Sequence, residues 1–121
     1  MKKVLLVDAD EAFRYEARGH LEHSGLFVEW AENAADAIRM GLILRPQILL
    51  TGLNLAGETS GIDVARSLAH ELDDLRVVFI IDHEEREELE NKLGALRVDD
   101  VLVKPVSMTA LEERGIGLGS E

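Results

Sequence analysis

Five short apolar runs punctuate the chain, and between them the apolar residues switch to a period of three or four. Residues 3–7, 27–31, 47–51, 77–81 and 100–103 are rich in aliphatic and β-branched side chains and have strand length. The intervening stretches carry one apolar stripe each, at i, i+3/i+4, i+7 spacing. The stripes are Phe13, Ala17, His20 and Leu21, then Ala34, Ala37, Ile38 and Leu42, then Ala65, Leu68, Ala69 and Leu72, and finally Leu89, Leu93 and Leu96. Strict alternation of strand and crossover helix calls for parallel strands with right-handed connections. The predicted fold is therefore α/β, a doubly wound three-layer domain on a five-stranded parallel sheet. Asn33 and Ser107 stand at N-cap positions, and Pro46 closes the second helix. The ending "RGIGLGSE" places glycines at alternate positions from Gly115, so a short last helix of about two turns is expected near residues 108–114. The domain is expected to span residues 1–114, with a glycine-rich tail at 115–121.

Composition narrows the function classes. A chain of 121 residues with 46% hydrophobic content fits one core, and only 4% aromatic content means that core is aliphatic. There is no cysteine, which excludes disulfides and thiolate metal sites. No apolar run approaches the roughly 18 residues of a membrane span, and "MKKVLLVDAD" lacks the pattern of a signal peptide. The expected location is the cytoplasm, with no membrane contact. A formal net charge of −11 excludes direct nucleic-acid binding as a leading function, because phosphate contacts require clustered Lys and Arg.

In an open α/β sheet the chemistry collects at the carboxyl ends of the strands. The first strand ends in "VDAD", giving Asp8, Ala9 and Asp10. The third ends on Gly52, with Asn54 following. The fourth ends in Ile81-Asp82, and the fifth, which includes Val101, ends in Lys104-Pro105. A glycine at the end of the most apolar strand leaves no side chain where reactive groups are normally kept.

With these residues in this order, the chain resembles the receiver domain of two-component response regulators, over nearly its whole length. "KKVLLVDAD" looks like the acidic first strand, "RPQILLTGLNLAGETSG" like the phosphoacceptor strand and loop, and "DDVLVKP" like the last strand with its lysine and proline. The resemblance implies a flavodoxin-like sheet of order 2-1-3-4-5, a cytoplasmic signalling role without enzymatic activity, and a cis peptide at Lys104-Pro105.

Set against the family, Gly52 takes the place of the phosphoacceptor aspartate and Ala9 that of the direct Mg²⁺ carboxylate. Ile81 replaces the hydroxyl residue of the fourth strand, and Val101 the aromatic residue of the fifth. Mg²⁺ demands near-octahedral oxygens, so Asp8 with a backbone carbonyl near Asn54 is expected to bind it weakly or not at all. No cofactor is expected. Lys104 is expected to form a structural ion pair with Asp8 or Asp10, because buried charges persist when paired.

The resulting expectation is a degenerate pseudo-receiver that works by protein–protein contact. The resemblance places that contact, with an output domain, a partner or a second copy, on the face of the fourth helix, fifth strand and fifth helix. A short fifth helix would leave apolar area around Val101, Leu111 and Ile116, and the contact surface is expected to include these with Leu89, Leu93 and Leu96. Two alternatives compete. One is phosphorylation on a displaced acid, Asp8, Asp10 or Glu58, with Mg²⁺. The other is a small-ligand-binding flavodoxin-like domain, which the acidic, glycine-free loop "DADEAFR" disfavours. His20 and His83 read as a packed and a loop histidine. The acids of "EEREELE" complement a helix N-terminus, and Arg97 stands where the family usually turns on glycine.

Overall fold

The computed structural model describes residues 2–116. Strands β1 (Lys3–Val7), β2 (Phe27–Ala31) and β3 (Ile48–Thr51) form within the first half of the chain. A two-stranded hairpin, β4 (Asn54–Leu55) and β5 (Thr59–Ser60), follows β3 and was not expected from the sequence. Its tight reversal uses left-handed backbone at Gly57 (φ 72°) and Glu58 (φ 57°). Strands β6 (Arg76–Ile81) and β7 (Asp100–Val103) complete a parallel sheet of order β2-β1-β3-β6-β7, which is the expected 2-1-3-4-5 order of its five strands.

Among the described residues, five α-helices cover the sheet: α1 (Glu11–His23), α2 (Ala34–Leu44), α3 (Gly61–Glu71), α4 (Arg86–Lys92) and α5 (Met108–Glu113). Four begin on side-chain caps, with Asp10, Asn33, Ser60 and Ser107 accepting the N–H groups of Phe13, Asp36, Ile62 and Ala110. Strand residues alternate between two apolar layers. Leu5, Val7, Leu49, Phe79 and Ile81 pack beneath α2, α3 and α4, whereas Val4, Leu6, Leu50, Val78 and Ile80 pack beneath α1 and α5. Among the described residues, no helix is long and apolar enough to cross a membrane.

The structure moves several expected residues. Leu42 is exposed, and Gly41 occupies the contact between α2 and α3 instead. A Cβ at Gly41 would lie 2.6 and 2.7 Å from the two methyls of the buried Leu68. Gly41→Ala is therefore expected to lower stability by about 1–3 kcal/mol through overpacking, read as a fall in the urea midpoint. Helix α4 stops at Lys92, and the left-handed Gly94 (φ 57°) turns the chain, so Leu96 lies beyond the helix rather than on it. Arg97 is not the turning residue; its guanidinium pairs with Asp99 at 3.0 Å.

The expected apolar contact face is the main correction. Leu89, Leu111 and Ile116 are fully buried in the domain's own core. The reason lies at the end of α5. Gly115 (φ 76°) donates its N–H to Glu112 and Ile116 donates to Leu111, the two bonds of a Schellman motif, which folds Ile116 back toward Leu111. The chain itself fills the space that a short helix would have left open. Leu93, Leu96 and Val101 remain half-buried. The packed chain thus continues through Gly115 and Ile116, past the expected boundary at 114, and the rest of the glycine-rich tail lies outside the described residues.

Candidate functional site

Asp8, directly after β1, is only 5% exposed. Its Oδ1 accepts the Lys104 ammonium at 3.1 Å and the Asp10 N–H at 2.9 Å. Lys104 Nζ also lies 3.6 Å from Asp10 Oδ2 and 4.7 Å from the centroid of the Phe13 ring. The cation thus has two carboxylates and an aromatic face around it. The Lys104-Pro105 peptide is cis.

Burial pushes the Asp8 carboxyl above the usual carboxylate range, and the Asp10 N–H and Lys104 pull it only part of the way back. Asp10 behaves oppositely. As the N-cap of α1 it accepts the Phe13 N–H at 3.2 Å, which with Lys104 holds its carboxyl below the ordinary value. On acidification Asp8 is expected to take its proton first and Asp10 last. Carbon-13 titration of the two side-chain carboxyls checks this, and the reverse order would refute the placement of Asp8 in the low-dielectric layer.

Gly52 follows β3 directly and is buried, its N–H bonded to the Val7 carbonyl at 2.8 Å. A Cβ on it would point at Asp8, 3.3 Å from Oδ2. The structure therefore brings Asp8, Asp10, Gly52 and Lys104 together. Ala9 sits exposed between the two acids. Ile81 is 1% exposed and belongs to the layer under α2, α3 and α4, while Val101 is half-buried against that layer. Asn54 turns elsewhere: its amide donates to Glu85 at 2.7 Å and Glu88 at 3.1 Å, tying the β3–α3 connection to α4. Glu58 is exposed on the hairpin turn.

These residues do not fit Mg²⁺. The ion needs several converging oxygens, whereas here Asp8 already accepts an ammonium and an N–H on the same oxygen. Among the described residues, no group of three or more His, Asp or Glu side chains is placed to hold a metal ion.

Three supporting residues escaped the sequence reading. Arg14 is buried, donates to the Asp8 carbonyl at 2.7 Å and stacks on Trp30 at 4.7 Å. Thr51 is buried and donates its hydroxyl to the Gly52 carbonyl at 2.9 Å. Gly61 leaves no room for a Cβ beside that same carbonyl. A hydroxyl within an otherwise aliphatic strand and an arginine beside the apolar stripe of α1 were the available signals.

The family model of the response regulator receiver domain matches residues 4–115. The acid tolerance regulatory protein ActR of Sinorhizobium medicae is 34% identical over 106 residues, covering 86% of this chain and 53% of that protein. The response regulator MprA of Mycobacterium ulcerans is 30% identical over 114 residues, covering 93% of this chain and 47% of that one. The chain spans about half the length of these curated relatives. Among solved structures, the signal receiver domain of a modulated diguanylate cyclase from Desulfovibrio desulfuricans G20 superposes with a TM-score of 0.82 at 27% identity, over 93% of this chain and 89% of that one.

Proposed function

The chain belongs to the response regulator receiver domain family, and from that premise we propose that it is an atypical receiver that signals by protein contact without being phosphorylated. The observation that carries this reading is Gly52. It stands after the central strand where a family member's acceptor carboxylate is expected, and the vector of its missing side chain points at Asp8. With no nucleophile at that point, Lys104 has no phosphoryl oxygen to meet and neutralises Asp8 instead. Ala9, Ile81 and Val101 add no metal oxygen, hydroxyl or switching ring around it. The domain is a signalling module and not an enzyme.

The partner in this reading is another protein or an output domain. Contact across the α4–β7–α5 face rests on half-buried Leu93, Leu96 and Val101 beside the acids of α4, not on the buried Leu89, Leu111 and Ile116.

Incubation with Mg²⁺ and a small phosphodonor, followed by intact mass measurement, tests the proposal. The wild-type chain is expected to show no mass gain. A Gly52→Asp, Ala9→Asp double variant, which returns an acceptor and a metal carboxylate, is expected to gain one phosphoryl group. A stoichiometric gain in the wild-type chain would overturn the reading and point to Asp8, Asp10 or Glu58.

A further inference from the structure

We infer that the free edge of β2 is a docking site for an extended segment of another protein whose side chains alternate between apolar and basic, added to the sheet as a sixth strand. This rests on the reading of the domain as a contact module and names a second surface for it, separate from the α4–β7–α5 face.

Five large apolar residues are exposed among the described residues: Tyr15, Phe27, Trp30, Leu42 and Ile43. All five lie on β2 or on α1 and α2, the helices that flank it in the chain; none lies on α4, β7 or α5. Leu42 lines a separate groove against α3. The other four frame the β2 edge on both sides of the sheet. Phe27 and Ile43 line a groove with Met40 and Leu44, while Tyr15 and Trp30 line one with Arg14 and Arg18. Tyr15 is 84% exposed and Ile43 80%, far beyond what a solvated edge needs.

Among the described residues, β2 pairs only with β1. Phe27 gives its N–H to Lys2, and Ala31 accepts from Asp8, so these residues direct their backbone groups toward β1. Because the direction alternates in a parallel pair, Val28 and Trp30 turn their N–H and C=O groups outward, where they present an unpaired template for another strand.

Charge selects the occupant. Glu29, half-buried at the centre of β2, lines the groove with Phe27, Met40, Ile43 and Leu44 and forms no hydrogen bond or ion pair among the described residues. The cation in that groove, Lys3, already donates to the Leu44 carbonyl at 3.2 Å. A carboxylate left unpaired between aliphatic side chains calls for a lysine or arginine whose stem lies over Phe27 and Ile43. The opposite face of the added strand would set apolar side chains on Trp30 and Tyr15. A second copy fits poorly, because it brings another net charge of −11, and two-fold pairing centred on Glu29 would oppose two carboxylates. The docking mode is strand addition, in which backbone hydrogen bonds provide affinity and alternate side chains provide specificity.

The chain's single tryptophan is Trp30, so its fluorescence reports directly on the edge. The probe is a capped seven-residue peptide alternating valine and lysine, added without phosphodonor; a glutamate–valine peptide is the control. The lysine peptide is expected to shift Trp30 emission saturably and to protect the Val28 and Trp30 amides from hydrogen exchange. Glu29→Gln is expected to weaken binding about tenfold or more, from loss of one charge-assisted contact. Ile43→Ser, at an exposed position and neutral in charge, is expected to weaken it through loss of the apolar stem contacts. Glu87→Lys, on the distant acidic α4, is expected to change it little. Equal binding of the glutamate peptide, an equal loss in Glu87→Lys, or unprotected Val28 and Trp30 amides at saturation would overturn the inference. So would a free protein that sediments as a dimer with those amides already protected. None of these outcomes depends on the phosphodonor experiment, so the two readings fail separately.

Discussion

Gly61→Ala is expected to lower the stability of the domain by about 3 kcal/mol, at the upper end of the usual overpacking range. Gly61 opens α3 directly after its Ser60 cap and donates its N–H to the Leu53 carbonyl at 2.8 Å. A Cβ there would overlap the Gly52 carbonyl oxygen outright, and would lie 2.7 Å from Thr51 Oγ1 and 3.0 Å from the Gly52 carbonyl carbon. The obstacle is backbone, so no rotamer change relieves it. Gly52 is held from the other side by its bond to Val7, and Thr51 Oγ1 is bonded to the very carbonyl that would have to move. Relief requires displacing the β3–β4 connection, and with it the floor beneath Asp8. Urea unfolding should show a lower midpoint with an unchanged slope. Gly19→Ala is the matched control: its Cβ would meet nothing within 4 Å inside α1, and it is expected to raise stability by about 0.5–1 kcal/mol. A Gly61→Ala protein as stable as wild type would mean that α3 does not seat against the central strand as described.

Lys104→Met is expected to destabilise the domain by about 3 kcal/mol near neutral pH and by far less in acid, because it strands a buried carboxylate. Asp8 is 5% exposed and Lys104 is its cationic partner at 3.1 Å. Even in the wild-type protein, burial raises the folded Asp8 value above its ordinary 3.8, so the native state holds its proton to a higher pH than the unfolded chain does. Across that interval stability falls as pH rises, since the unfolded state binds fewer protons. Removing Lys104 takes away a force that favours the charged form, so the interval extends to higher pH and the loss grows toward neutrality. Below the unfolded value both states are protonated and the two proteins should converge. Denaturation of both proteins across this range measures the effect. A difference that does not vary with pH would contradict it. The Asp8→Asn, Lys104→Met double variant, which leaves no charge unpaired between them, is expected to regain most of the stability.

Much of this site was legible without coordinates. Gly52 stands at the end of a strand written as Ile48, Leu49, Leu50 and Thr51, and a missing side chain is plain in any representation. The Lys104–Asp8 pair was also foreseeable, because a lysine and a carboxylate at neighbouring strand ends need each other once water is removed. The sequence does not say which acid Lys104 favours. That was decided by depth: Asp8 is buried, whereas Asp10, two residues later, is half out in solvent and serves as the α1 cap. Asn54 illustrates the opposite case. Its place in the loop after β3 suggests the pocket, but the β4–β5 hairpin turns its amide toward Glu85, just before α4, and Glu88 on it, a contact between residues about thirty positions apart.

The sequence alone determined what is local. Two-residue and three-to-four-residue periods specify strands and helices, short polar side chains cap helices, and Gly52 cannot carry a reactive group whatever surrounds it. Tertiary structure decided what is exposed. Leu111 and Ile116 read as a surface for a partner and proved to be core, because Gly115 reverses the chain and closes the gap from within. Tyr15, Trp30 and Ile43, scattered among α1, β2 and α2, became one apolar border once β2 took the outer place in the sheet. Burial depends on which elements become neighbours, and that is set by packing among residues far apart along the chain.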